Sequence, residues 1–134
     1  MQMMRQLEFA IFDFRLHLEF DEKNPLCVQT ILNEVRQKFS VFLPPEFNRF
    51  QNSFSHIFGG SYAAGYYSYK WAEVMACDAF SLFEEKGIFD RATNKKYQET
   101  FLESGGAKDP MDLFIAFRGR KPTVDALLKQ SGII

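Results

Sequence analysis

The 134-residue sequence is poor in the side chains that most often hold metals or attack substrates. It has two histidines, His17 and His56, and two cysteines, Cys27 and Cys77. Neither histidine belongs to a His-Glu-x-x-His motif and there is no Cys-x-x-Cys, so the usual zinc ligand sets are missing. No Walker or dinucleotide-binding glycine pattern occurs, and no Ser-His-Asp arrangement stands out. Two cysteines make no disulfide framework; buried thiols in a reducing compartment are expected. The net charge is −1 with no basic run, which argues against a nucleic-acid partner or an anionic membrane surface. No apolar run reaches the length of a membrane span and no signal peptide opens the chain, which leads us to expect a cytoplasmic protein. Alternating strand patterns of useful length, internal repeats and low-complexity stretches are also absent.

What is present is a recurring period near 3.6, and with it an expected all-α fold of about six helices in a single domain, 1–134. The first helix is expected from Met1 to about Phe20. It carries two apolar stripes, Leu7, Ile11, Phe14 and Leu18 on one side and Phe9, Phe12, Leu16 and Phe20 on the other, and should be buried on two sides. Asp13 and His17, four apart, read as a surface pair. A second helix should run from about Leu26 to Phe39 with Val28, Ile31, Leu32, Val35 and Phe39 inward; Pro44-Pro45 then stops regular structure. The longest helix after the central loop is expected from Tyr66 to about Lys86, ended by Gly87. Glu73 and Asp78 on it point about 140° apart at about 100° per residue, so they are no acid/base pair. A further helix is expected from about Arg91 or Thr93 to Ser104. Asp109-Pro110 then reads as an N-cap and first helical position, and a last helix should run from Pro122 or Thr123 to Gln130. The two arginines of the Arg118-Gly-Arg turn read as surface residues or as caps of carbonyls. The sixteen phenylalanines are more than a small helical core easily buries, so some should face a partner surface.

One stretch concentrates the chemistry. Phe54 to Trp71 holds His56, three of the eight glycines and four of the five tyrosines. Gly59, Gly60 and Gly65 allow φ > 0 or a close approach to a ligand. Tyr62, Tyr66 and Tyr69 are spaced i, i+4, i+7, one face of a helix if the run is helical. Phenol donors beside a flexible loop suit a carbonyl oxygen or carboxylate; an aromatic packing stripe behind an ordinary turn is the alternative.

The segment His56-Ile-Phe-Gly-Gly-Ser-Tyr-Ala-Ala-Gly-Tyr-Tyr-Ser-Tyr-Lys-Trp-Ala-Glu resembles the Gly/Tyr loop of the thimet oligopeptidase family of zinc metallopeptidases, and most closely its bacterial members. The resemblance extends through Phe83-Glu-Glu-Lys-Gly-Ile-Phe, Gly105-Gly-Ala-Lys-Asp-Pro-Met-Asp-Leu-Phe and Phe117-Arg-Gly-Arg-Lys-Pro, and includes Arg5-Gln-Leu-Glu-Phe and Asp13-Phe-Arg-Leu-His near the start. Ser61 departs from it, standing where the pattern has Gly before the loop tyrosine.

The resemblance implies the C-terminal part of the catalytic domain of a two-lobed, zincin-type oligopeptidase that cuts short peptides. It implies that the zinc ligands lie N-terminal to this chain, in the remainder of that domain, and that the chain alone is inactive. His56, Gly59, Gly60 and Tyr62 would then bind substrate. Tyr66 and Tyr69 would reach the scissile carbonyl, one of them stabilising the oxyanion. Two other classes stand beside this one: a non-catalytic helical module that binds a protein or peptide, and a catalytically dead relative that binds peptides without turnover.

Overall fold

The structure, a computed structural model, describes residues 2–134. Its six α-helices are α1 (Gln2–Glu19), α2 (Cys27–Phe39), α3 (Ser68–Lys86), α4 (Arg91–Tyr97), α5 (Pro110–Arg118) and α6 (Asp125–Gln130), and no strand occurs among the described residues. The expected all-α class with six helices is what forms. The residues divide into two compact units, the first ending at Lys70 and the second running Trp71–Ile134.

In the first unit α1 packs on α2 through residues their spacing predicts. Ala10, Phe12 and Leu16 meet Ile31, Leu32 and Val35 in one buried cluster, flanked by Phe9, Ile11, Val28 and Phe39. The outer stripe of α1 behaves differently. Leu18 is 84% exposed and Phe14 is also open, so α1 is buried on one side, not two; Phe20, expected on the inner stripe, lies past the helix end and is open as well. The reason lies in the partner set: α2 and two short 3₁₀ turns, Phe50–Asn52 and Ser55–Ile57, cover only the Phe9–Phe12–Leu16 side. A buried polar group sits in the same packing. Glu8 accepts from Arg36 Nε at 3.2 Å and from the Ser40 hydroxyl at 2.5 Å, while Arg36 also donates to Asn48 at 2.9 Å. Each charge is thus paired and hydrogen-bonded, which offsets the cost of taking it from water.

The second unit is built on α3, α4, α5 and α6. Ala79, Phe114 and Phe117 are its buried cluster, ringed by Met75, Leu82, Phe83, Tyr97 and Phe101. Tyr97 and Phe101 both set their rings against Phe117, at 5.6 and 5.4 Å between centroids, in edge-to-face arrangements that aromatic quadrupoles favour. Past Tyr97 the backbone continues as a π-helical turn, Gln98–Leu102, within the span expected to be one helix. Asp109 caps α5 as the sequence implies, its side chain accepting from the Met111 amide at 2.8 Å, with Pro110 next. Gly119, at φ 80°, ends α5 in the left-handed region where a side chain would be strained.

A buried carboxylate orders this unit. Asp78 is fully buried, and Arg118 and Arg120 donate to it; Arg120 stays exposed, as expected, while Arg118 is largely covered and also donates to the Asp78 carbonyl. The Arg118-Gly-Arg turn folds back so that Asp78 accepts from Arg120 Nη2 at 2.6 Å, Arg120 Nη1 at 2.7 Å, Arg118 Nε at 3.1 Å and the Thr123 amide at 2.7 Å. The expected burial of the two cysteines is only partial: Cys27 and Cys77 are both partly exposed and neither is in a disulfide.

Candidate functional site

The Gly/Tyr segment lies in the first unit, and it is not the continuous helix its spacing suggests. Residues 63–67 form turns and α3 begins only at Ser68. The backbone breaks at Ala64, the one non-glycine residue with positive φ (52°) among those described. Gly59, Gly60 and Gly65 do not use positive φ at all. Gly60 is favoured for another reason: a Cβ there would stand 3.0 Å from the His56 carbonyl oxygen, a tight contact to which the backbone must yield by a few tenths of an ångström.

The turn nevertheless gathers the residues that the spacing singles out. Tyr62 and Tyr69 stack with centroids 5.0 Å apart, and Tyr66 meets Tyr69 edge-on at 5.1 Å. The His56 ring lies 5.8 Å from Tyr66 and 6.4 Å from both Tyr62 and Tyr69. His56 comes from the Ser55–Ile57 turn, Tyr62 and Tyr66 from the loop and Tyr69 from the first turn of α3. Behind them a file of rings runs into the core: Tyr66 to Phe54 at 5.0 Å, Phe54 to Phe50 at 4.7 Å, Phe50 to Phe9 at 4.6 Å. Such contacts order the cluster from behind.

The three phenols differ. Tyr66 is buried and its hydroxyl donates to Gln6 Oε1 at 3.1 Å. Tyr69 is 39% exposed. A hydrogen bond with Tyr62 raises the Tyr69 phenol above its ordinary 10.0, and partial desolvation adds to this. Burial raises the Tyr66 phenol too, against the opposing pull of Gln6 and the Arg5 charge. Both phenols are therefore neutral O–H donors at neutral pH.

The sequence pattern did not reveal two side chains of α1 that hold this turn. Asp13, fully buried, accepts from the Ala64 amide through Oδ1 at 3.0 Å and from the Tyr66 amide through Oδ2 at 2.9 Å. Gln6, one heptad earlier on the same face, takes the Tyr66 hydroxyl. The pairing of Asp13 with His17 is present, Nδ1 to Oδ1 at 3.0 Å, but it is not a surface pair on the carboxylate side. The available signal was a polar residue set between apolar neighbours on both sides of an amphipathic helix.

Among the described residues no group of three or more histidine, cysteine or acidic side chains is placed to hold a metal ion. No helix among them is long and apolar enough to cross a membrane.

The sequence pattern of Peptidase family M3 matches residues 1–133. The chain belongs to peptidase family M3. It is 52% identical to oligopeptidase A of Escherichia coli over 130 residues, which are 97% of this chain and 19% of that protein. It is 50% identical to oligopeptidase A of Haemophilus influenzae over 134 residues, 100% of this chain and 20% of the relative. Saccharolysin of Saccharomyces cerevisiae is 36% identical over 131 residues, 97% of this chain and 18% of that protein. This M3 chain thus spans about a fifth of the length of the curated relatives it matches. The oligopeptidase resemblance seen in the sequence is borne out, and the all-α fold is part of a larger peptidase domain.

Proposed function

We propose that this chain is the C-terminal part of a zinc-dependent, cytoplasmic oligopeptidase that hydrolyses peptide bonds in short peptides, and that its share of the site is the Gly/Tyr segment. The observation that carries the reading is Tyr69, a phenol ordered by Tyr62 and Tyr66 yet open to solvent. Amide hydrolysis builds negative charge on the scissile carbonyl oxygen, and a fixed neutral donor aimed there lowers the barrier by about 2.7–4 kcal/mol. Tyr69 is the donor in this reading. Tyr66, whose hydroxyl already serves Gln6, contributes less unless substrate draws that proton away. His56, Gly59, Gly60 and Tyr62 form the wall that the peptide backbone meets. The described residues of this chain do not fit a zinc site. Zinc belongs to the proposal as the cofactor of the longer protein, held by ligands in the remainder of the domain. The residues of this chain bind the peptide or donate a hydrogen bond to its carbonyl oxygen.

The test is Tyr69→Phe in the full-length protein, which removes one hydroxyl and almost no packing volume. We expect kcat and kcat/KM to fall together by about 10²–10³-fold with KM little changed, the pattern of an interaction made only in the transition state. Tyr66→Phe should show a smaller loss, and His56→Ala should raise KM. Wild-type kcat in a folded Tyr69→Phe protein would make the phenols packing residues and leave a peptide-binding module as the better reading.

A further inference from the structure

We propose that Asp13 is a positioning residue for the tyrosine cluster, acting through the backbone of the loop rather than on substrate. The proposal rests on the reading of Tyr69 as a donor. Three features meet at this carboxylate. First, it is fully buried, a costly place for a charge, and both oxygens are spent on the loop: Oδ1 on the Ala64 amide at 3.0 Å, Oδ2 on the Tyr66 amide at 2.9 Å. Second, those two amides bracket the strained point of the segment. Ala64 holds a left-handed φ of 52° without being glycine, and such a residue persists only where its surroundings over-determine it. Alternating amides converging on one anion form a backbone nest, here filled by a side chain of the same chain. Third, the same face of α1 holds the other end of Tyr66, where Gln6 accepts its hydroxyl at 3.1 Å. Helix α1 therefore fixes Tyr66 at its amide and at its phenol. Tyr66 in turn sets the edge against which Tyr69 packs, 5.1 Å away. His17 stands beside the carboxylate, Nδ1 3.0 Å from Oδ1 and 2.9 Å from the Asp13 carbonyl oxygen.

Asn at position 13 keeps the shape but turns one acceptor into a donor facing an amide N–H, so one of the two loop contacts becomes repulsive. The experiment uses the full-length protein carrying Asp13→Asn, Tyr69→Phe or both, with a quenched fluorescent peptide as substrate and hydrogen exchange read by mass spectrometry. We expect Asp13→Asn to lower kcat by about 10²-fold, the scale of a misplaced catalytic group, with KM little changed. In the Tyr69→Phe background the same change should cost little more, because both substitutions remove one hydroxyl's work. Exchange across residues 62–67 should rise in Asp13→Asn while helix α2 keeps its protection. Losses that multiply in the double variant, or unchanged exchange across the loop, overturn the proposal. Should Asp13→Asn fail to fold, the wild type decides: Ala64 and Tyr66 amides exchanging like free amides would sink it, and protection of both would sustain it. If Tyr69→Phe alone proves harmless, the donor reading falls, and the exchange data still say whether Asp13 holds the loop.

Discussion

Asp78 is a buried carboxylate that two guanidiniums and one backbone amide converge on. Burial alone raises its carboxyl, but donors from Arg120, the Thr123 amide and Arg118 outweigh that and hold it below the ordinary 3.8. A carboxyl depressed in the folded state contributes stability that is present above its unfolded value and lost as pH falls through the folded one. The stabilisation from Asp78 should therefore be intact at neutral pH and fade below about pH 4. Asp78→Asn leaves Arg118, nearly buried, with Glu85 as its remaining carboxylate partner, and Arg120, partly exposed, facing a neutral amide. Losing the carboxylate should therefore cost stability at neutral pH, by less than the roughly 3–5 kcal/mol of a fully buried charge left unpaired. Urea denaturation of both proteins should show that gap at pH 7 and a narrowing gap as the acid limb is reached; a gap independent of pH would remove the charge argument. The sequence hid this network because the partners of Asp78 lie some 40 residues downstream, at separations of 40, 42 and 45. Nothing in helical spacing marks a partner at that distance, and comparing Asp78 only with Glu73 looked for the wrong chemistry.

At the scale of elements, what was legible was what is decided locally. Asp109-Pro110 states the start of α5 in two residues, and the structure places the cap bond there. Asp109→Ala should cost about 1 kcal/mol, the usual value of a lost N-cap, seen as a lower urea midpoint with an unchanged slope. The stripe of α2 was legible for the same reason, since 3.6 periodicity shows which side is inward. The Gly/Tyr segment was half legible. Its residues come together as the spacing suggested, but by a turn and not a helix, because Asp13 offers the backbone of residues 64 and 66 an acceptor that competes with helical bonding. The outer stripe of α1 reads as core in sequence because periodicity reports apolarity, and says nothing about whether a neighbour exists to cover it. Phe14 stacks on Tyr67 at 5.0 Å and still stays open, and Leu18 is more exposed again.

For the molecule as a whole, several large apolar side chains remain open, Phe42, Phe47 and Phe89 among them, on a chain that spans about a fifth of its curated relatives. These exposed rings are where the expected partner surface for some of the phenylalanines would have to lie. The purified 134-residue chain should hold no stoichiometric zinc and release no peptide products, since its described residues assemble no ligand set. Elemental analysis finding one tightly bound zinc per chain would contradict this. The two bonds from Asp13 to the loop also bear on the order of folding. They join residues separated by 51 and 53 positions, a loop closure whose entropy must be met before the tyrosines are in place. Nothing local dictates the left-handed Ala64, so the cluster forms only once α1 is present and docked, and a ribosome that has released α1 has already made the template on which the tyrosines will later be set.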